Sequence, residues 1–291
     1  MIDTLQGLFA ASITPFHADG ALDRDGLITH LHRLHARGCH GVLLCGTTGE
    51  GPSLTVEERI TVFKTAVEHN PGLTLLAGTG AVSLNDTITL TRAAYETGCT
   101  AAVVLPPFFF PRDIDLFATY KAIIQQAVPT DAPLLLYHNP KVTQVHLDLA
   151  LIARLQDSFG QIAGIKDSSG SWERASALIE RGLIVFVGDD RLLLRTLEAG
   201  GAGAITGAAN LFAVSLRAVY DAHHSGQEAE QAQQALNDRL STLDGLPRIA
   251  AIKHLAGSAA VRLPLRELTP QERAQLAQGG HHVDSSTDTR Y

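Results

Sequence analysis

Several things are scarce in this 291-residue sequence, and each scarcity excludes a class of protein. No apolar run approaches the roughly 18 residues of a membrane span, and Met1-Ile2-Asp3-Thr4 lacks the basic and apolar start of a signal peptide. The expectation is a cytoplasmic protein with no membrane partner. Lys and Arg form no run and the formal charge is -7, which argues against nucleic acid, since that partner needs a concentrated basic face. Cysteine is limited to Cys39, Cys45 and Cys99, an odd number in apolar surroundings, as expected of buried thiols rather than a disulfide framework. No Ser/Pro/Gly linker or low-complexity block interrupts the chain before its polar end. Hydrophobic residues make up 45% of the chain, enough for a large core.

What the sequence has is repetition. Short apolar runs begin at Gly7, His40, Leu73, Thr100, Pro133, Gln161, Ile184 and Gly203, and an amphipathic helical pattern follows each. Eight near-continuous hydrophobic strands alternating with helices specify a parallel sheet covered on both faces, and eight such units can close into a (β/α)8 TIM barrel. Thr55 with Glu58 reads as a capping box, and Gly38, Gly98 and Gly182 stand where helices should stop. Residues 1–225 are expected to form the barrel and residues 226–278 a helical extension packed on it. Residues 279–291 are expected to be a polar, mobile tail.

Active sites of parallel barrels lie at the C-terminal ends of the strands. There the second strand runs into Gly46-Thr47-Thr48-Gly49-Glu50-Gly51, the fifth ends at Tyr137 and the sixth ends at Lys166. The chain has only five lysines, and Lys64, Lys121 and Lys253 fall on helical segments whose polar faces should point to water. Lys166 follows an apolar strand, where desolvation favours the neutral amine that can attack a carbonyl. The same placement also suits a lysine that reaches out to solvent or pairs with Asp167. Tyr137 is either a proton relay beside that amine or an aromatic plug. Gly46, Thr47 and Thr48 offer hydroxyls and close backbone approach to a small carboxylate, or form a plain βα turn. An amine, a phenol and an anion cradle together can turn a 2-oxo acid into an iminium that serves as an electron sink.

A set of motifs, Thr14-Pro15-Phe16, Gly46-Thr47-Thr48-Gly49-Glu50, Leu136-Tyr137-His138-Asn139-Pro140 and Gly164-Ile165-Lys166-Asp167, resembles that of the dihydrodipicolinate synthase and N-acetylneuraminate lyase family. Gly188-Asp189-Asp190 and Ala208-Ala209-Asn210 extend the resemblance, which runs from about Leu8 to Leu265. It implies a (β/α)8 barrel with C-terminal helices, a homotetramer, and a pyruvate Schiff base on Lys166 without a cofactor. It also implies Tyr137 as the proton-shuttling phenol and Thr47 and Thr48 as holders of the pyruvate carboxylate. Three positions depart from the pattern. Val142 stands where the synthases carry an arginine for the aldehyde's carboxylate. The loop Pro106-Pro107-Phe108-Phe109-Phe110-Pro111 has no tyrosine to lend across a dimer interface, and Gly207 replaces a serine of the sialic acid lyases. Lys141 can replace the missing arginine as a point charge, Phe108 and its neighbours can line an apolar wall or a subunit contact, and Ile205 is expected in the substrate-binding set.

The expected function is a lyase forming a Schiff base between Lys166 and pyruvate or another 2-oxo acid, with an aldehyde or sugar acid as second substrate. The reaction is aldol cleavage or condensation, or dehydration, of a 2-keto-3-deoxy sugar acid or a 4-hydroxy-2-oxo acid. Alternatives are a synthase proper, joining pyruvate to aspartate semialdehyde, a metal-dependent aldolase, and a non-catalytic 2-oxo acid binding protein. His30, His32, His35 and Cys39 invite a zinc reading. Leu27, Leu31 and Leu34 define the buried stripe of that helix, however, which puts the histidines on a solvated flank, and no metal is expected.

Overall fold

A computed structural model describes residues 4–278. The expected tail, residues 279–291, lies outside them. Eight strands form a closed, all-parallel barrel: β1 (Gly7–Ala11), β2 (Gly41–Leu44), β3 (Thr74–Gly78), β4 (Ala101–Val104), β5 (Leu134–His138), β6 (Ile162–Asp167), β7 (Ile184–Val187) and β8 (Gly203–Thr206). Closure is made by β1 against β8, with Gly7 opposite Gly203 and Phe9 opposite Ile205. The outer layer comprises α1 (Arg24–Ala36), α2 (Val56–Glu68), α3 (Leu84–Thr97), α4 (Leu116–Ala127), α5 (Pro140–Thr143), α6 (Leu149–Ser158), α7 (Trp172–Glu180), α8 (Leu193–Glu198) and α9 (Ala209–His224). Three more helices follow: α10 (Glu230–Ser241), α11 (Arg248–Leu255) and α12 (Pro270–Gln278).

Because successive side chains of a strand point to opposite faces, each strand divides its residues between barrel interior and helix layer. Phe9, Leu43, Leu76, Leu135, Phe186 and Ile205 fill the interior. Phe9 and Phe186 meet edge to face, with ring centroids 5.1 Å apart, and plug its floor. Gly41 makes room for that plug, since a Cβ there would lie 2.2 Å from the Phe9 ring. Ala10, Val42 and Leu44 point the other way and join the cluster beneath the helices.

Helix starts follow the sequence signals. Thr55 and Glu58 form the full capping box, and Asp23, Ser83, Asp115, Asp148 and Ser171 each accept a first-turn N–H. Gly38 and Gly98 adopt the left-handed conformation beyond their helices. All three cysteines are free and buried. No helix among the described residues is long and apolar enough to cross a membrane.

Two expectations are corrected. Lys253 does not face water: its side chain is 0% exposed and pairs with Glu50. His30 does not lie on a solvated flank either. It is buried, with Nε2 2.8 Å from Asn210 Oδ1 and Nδ1 2.6 Å from an Arg33 nitrogen. Burial, with Arg33 adding to it, lowers its pKa to about 3, so this histidine stays neutral and both its nitrogens are engaged.

Two buried polar residues tie the barrel together. Asn210, at the start of α9, donates to the carbonyls of Ala11 and Gly207 and accepts from the amide of Ile13. It thus fastens the ends of β1 and β8 to one helix. Asp167, at the end of β6, accepts from His138 Nδ1 at 3.0 Å and from Arg174 Nε at 2.6 Å, and also from Ser169. Burial pushes the Asp167 carboxyl up, but these four hydrogen bonds outweigh it and hold the pKa at about 2, against an ordinary 3.8.

Asn210→Ala leaves several buried groups without partners, so unfolding should become easier by about 3 kcal/mol, read as a melting temperature lower by several degrees. The Asp167 contribution, about 2 kcal/mol, is fully present above its unfolded pKa and is lost as pH falls through about 2. Denaturant melts of Asp167→Asn should therefore show a deficit against wild type near neutral pH that narrows below about pH 4.

Candidate active site

The register of β5 and β6 places Tyr137 directly opposite Lys166. Both side chains are buried at the upper end of the barrel interior, 4% and 3% exposed, and Lys166 Nζ lies 4.2 Å from the centre of the phenol ring. The Tyr137 hydroxyl is 3.2 Å from Thr47 Oγ1 and accepts from Asn139 Nδ2 at 3.2 Å. Burial pushes the pKa of this phenol up, but the Lys166 charge and the hydrogen bonds with Thr47 and Asn139 reverse the effect and leave its pKa below the ordinary value. The phenol is therefore readied to exchange a proton with its neighbours.

The turn after β2 brings in Thr47 and Thr48. Cys45 and Glu50 bracket it with left-handed backbone, φ 52° and 54°, and the Gly51 amide donates to the Gly46 carbonyl across its base. Such conformations are unfavourable for side chains with a Cβ and persist only where packing dictates them.

These side chains open into a cavity of about 690 Å³, within the range of small-ligand sites. Lys166, Tyr137, Thr47, Thr48 and Ile205 line it as expected, and Lys141 and Val142 reach its edge. Gly46 is not in the lining; its part is to shape the turn. Phe108 is not there either: the loop after β4 turns outward, with Phe109 and Phe110 68% and 64% exposed. Of the two roles open to this loop, an apolar wall or a subunit contact, the first is thus not seen in the cavity. Gly207 borders it beside Thr48, and a side chain there would press on Thr48 Oγ1 and on Ile252.

The wall facing the barrel mouth mixes charged and apolar groups, and the sequence reading missed the charged ones. Asp189 and Asp190 after β7, Arg191, Arg248 of α11 and Arg266 stand there beside Pro247, Ile249, Pro264 and Leu265. Asp190 is buried, its Oδ2 stands 3.5 Å from Arg248, and its Oδ1 meets no hydrogen-bond partner. Burial raises its pKa despite the Arg248 charge. Asn139 was also missed as a site residue, although it sits two residues from Tyr137. Arg248 in α11 and Arg266 in the segment between α11 and α12 belong to the C-terminal extension, which sequence periodicity does not place over the mouth.

Against known proteins, residues 4–279 match the model of the Dihydrodipicolinate synthetase family. A protein of Chloroflexus aurantiacus described as an uncharacterized DapA-like lyase is 39% identical, covering 97% of this chain and 98% of its own length. A 4-hydroxy-tetrahydrodipicolinate synthase of Methanothrix thermoacetophila is 33% identical over 93% of this chain and 94% of that protein. Among solved structures, YagE of E. coli K12, a prophage protein of the dihydrodipicolinic acid synthase family in complex with pyruvate, superposes with a TM-score of 0.88. It is 27% identical, over 94% of this chain and 96% of that one. Sequence and architecture thus agree along nearly the whole length, and the chain belongs to the Dihydrodipicolinate synthetase family, a family of lyases.

Proposed function

We propose that this chain is a lyase that joins Lys166 to pyruvate or another 2-oxo acid as a Schiff base. The observation that carries this is the buried Lys166 amine 4.2 Å from the Tyr137 ring, with Thr47 bonded to the same phenol. Thr47 and Thr48 would take the carboxylate. The neutral amine adds to the C2 ketone, the ketone oxygen leaves as water, and an iminium remains. That iminium accepts the electron pair released when the C3–C4 bond breaks and an aldehyde departs, or when C3 loses a proton and the C4 hydroxyl then leaves as water. Tyr137, with its lowered pKa, gives and takes the protons of these steps. Condensation is the reverse of the cleavage. Pyruvate-bound relatives, YagE and the dihydrodipicolinate synthase of Acinetobacter baumannii (30% identical, TM-score 0.86, covering 94% of this chain and 97% of that one), support the 2-oxo acid.

For the second substrate the charged groups of the outer wall favour a hydroxylated chain, because Asp189 and Asp190 can accept from hydroxyls while Lys141 and Arg248 can donate. This supports a 2-keto-3-deoxy sugar acid or a 4-hydroxy-2-oxo acid. The reading as 4-hydroxy-tetrahydrodipicolinate synthase proper rests on relatives such as that of Methanothrix thermoacetophila. Against it stand Val142 at the arginine position and a β4 loop whose aromatic residues are all phenylalanine. Exposed Phe109 and Phe110 supply apolar surface for a subunit contact, in keeping with the homotetramer expected from the resemblance.

Borohydride reduction with pyruvate should add the ligand mass to Lys166, and Lys166→Ala should abolish trapping without unfolding the protein. A mass shift at Lys141, or none in wild type, overturns the assignment. Tyr137→Phe should still form the imine but turn over more slowly by ~10²-fold, measured on the 2-oxo acid that gives the fastest wild-type rate. Near-normal turnover would remove this phenol from the mechanism.

A further inference from the structure

The turn carrying Thr47 and Thr48 ends on Glu50, whose side chain is wholly buried. Its two oxygens are held from the opposite end of the sequence. Oε1 accepts from Lys253 Nζ at 2.5 Å, and Oε2 accepts from the backbone amide of Arg262 at 2.9 Å. Lys253 Nζ also lies 4.1 Å from the centre of the Phe16 ring, which Arg262 covers at 4.4 Å. The Arg262 guanidinium then binds Glu58 and the carbonyls of Gly20 and Ser53. The loops after β1 and β2 and the segment after α11 therefore meet on one ion pair.

We infer that Lys253 is a positioning residue for the Thr47–Thr48 cradle, acting through Glu50 to set where the two hydroxyls stand relative to Lys166. Three features support this. Glu50 is held at φ 54°, a backbone state that its surroundings must enforce, and its carboxylate contacts supply that enforcement. Behind it the turn is packed closely on itself, since a Cβ on Gly51 would lie 2.2 Å from the Cys45 carbonyl oxygen. Finally, Lys253 follows Ile252 on the helix that also supplies Arg248 to the cavity, so the strut fixes the cradle and the outer wall against each other. The inference rests on reading the cavity as a 2-oxo acid site.

Losing one partner of a buried pair strands a charge, whereas replacing both with uncharged groups of like size is often nearly neutral for stability. The test therefore compares wild type with the double variant Glu50→Gln, Lys253→Met. The expected result is a melting temperature close to wild type, with the pyruvate concentration for half-maximal borohydride trapping raised about 10-fold or more and the trapped yield at saturation unchanged. Hydrogen–deuterium exchange should quicken over residues 45–54 and stay unchanged over residues 134–167. The inference is overturned by wild-type half-saturation with unchanged exchange over 45–54, by exchange that rises equally over 134–167, or by a double variant that does not fold. If wild type is not trapped by pyruvate, the imine reading fails, and the exchange pattern alone decides whether Lys253 holds the turn.

Discussion

The register between β5 and β6 is the constraint on which the site depends. Pairing Tyr137 with Lys166 puts both side chains on the interior face at the same height, where neither reaches water. A slip of one residue would turn over the strand that moved, sending the phenol into the helix layer and His138 inward if β5 shifted, or the amine outward and Asp167 inward if β6 did. That slip is resisted from outside the barrel, because the His138–Asp167–Arg174 contacts use the next residue of each strand. The reactive pair and its brace thus alternate along the same two strands, one facing the cavity and the other facing the helices.

Much of this was legible in the sequence because it is local. Strands buried on both faces read as continuous apolar runs, so all eight were found in order, and a lysine or tyrosine ending such a run stands out by its position. Contacts between distant segments were not legible. Lys253 lies in Arg-Ile-Ala-Ala-Ile-Lys-His-Leu, where apolar residues occupy several faces and no stripe tells which way the lysine points; its partner is 203 positions away. His30 failed differently. It stands three residues from Leu27 and four from Leu34, on the same face of α1, so its burial was readable from the spacing; its partner Asn210, reaching it from α9, was not. Phe108 failed because a loop's path is set by its contacts rather than by any periodicity. Arg248 and Arg266 were missed as site residues because only the tertiary fold brings α11 and the segment after it over the mouth.

The cavity divides its chemistry by depth. Its lower part is made by the strands and the β2 turn, and its side chains are largely buried. Its upper part is made by the loop after β7, by α11 and by the segment after it, and mixes charged and apolar groups. Residues shared with the family fall mostly in the lower part, while Val142 and Lys141 stand at the rim. On the function proposed above, the reaction type and the choice of substrate would fall to different segments, as the fold permits when loops vary over a fixed barrel.

Phe9 and Phe186 are fully buried in the barrel interior and border no part of the cavity. If Lys166 anchors a substrate as proposed, anything that reacts with it would approach from the side of the C-terminal segments. A second molecule already in place there would stand between the entrance and the amine, so the anchored partner would enter first and leave last. The order of traffic would then follow from how the barrel interior is filled, well away from any reacting atom.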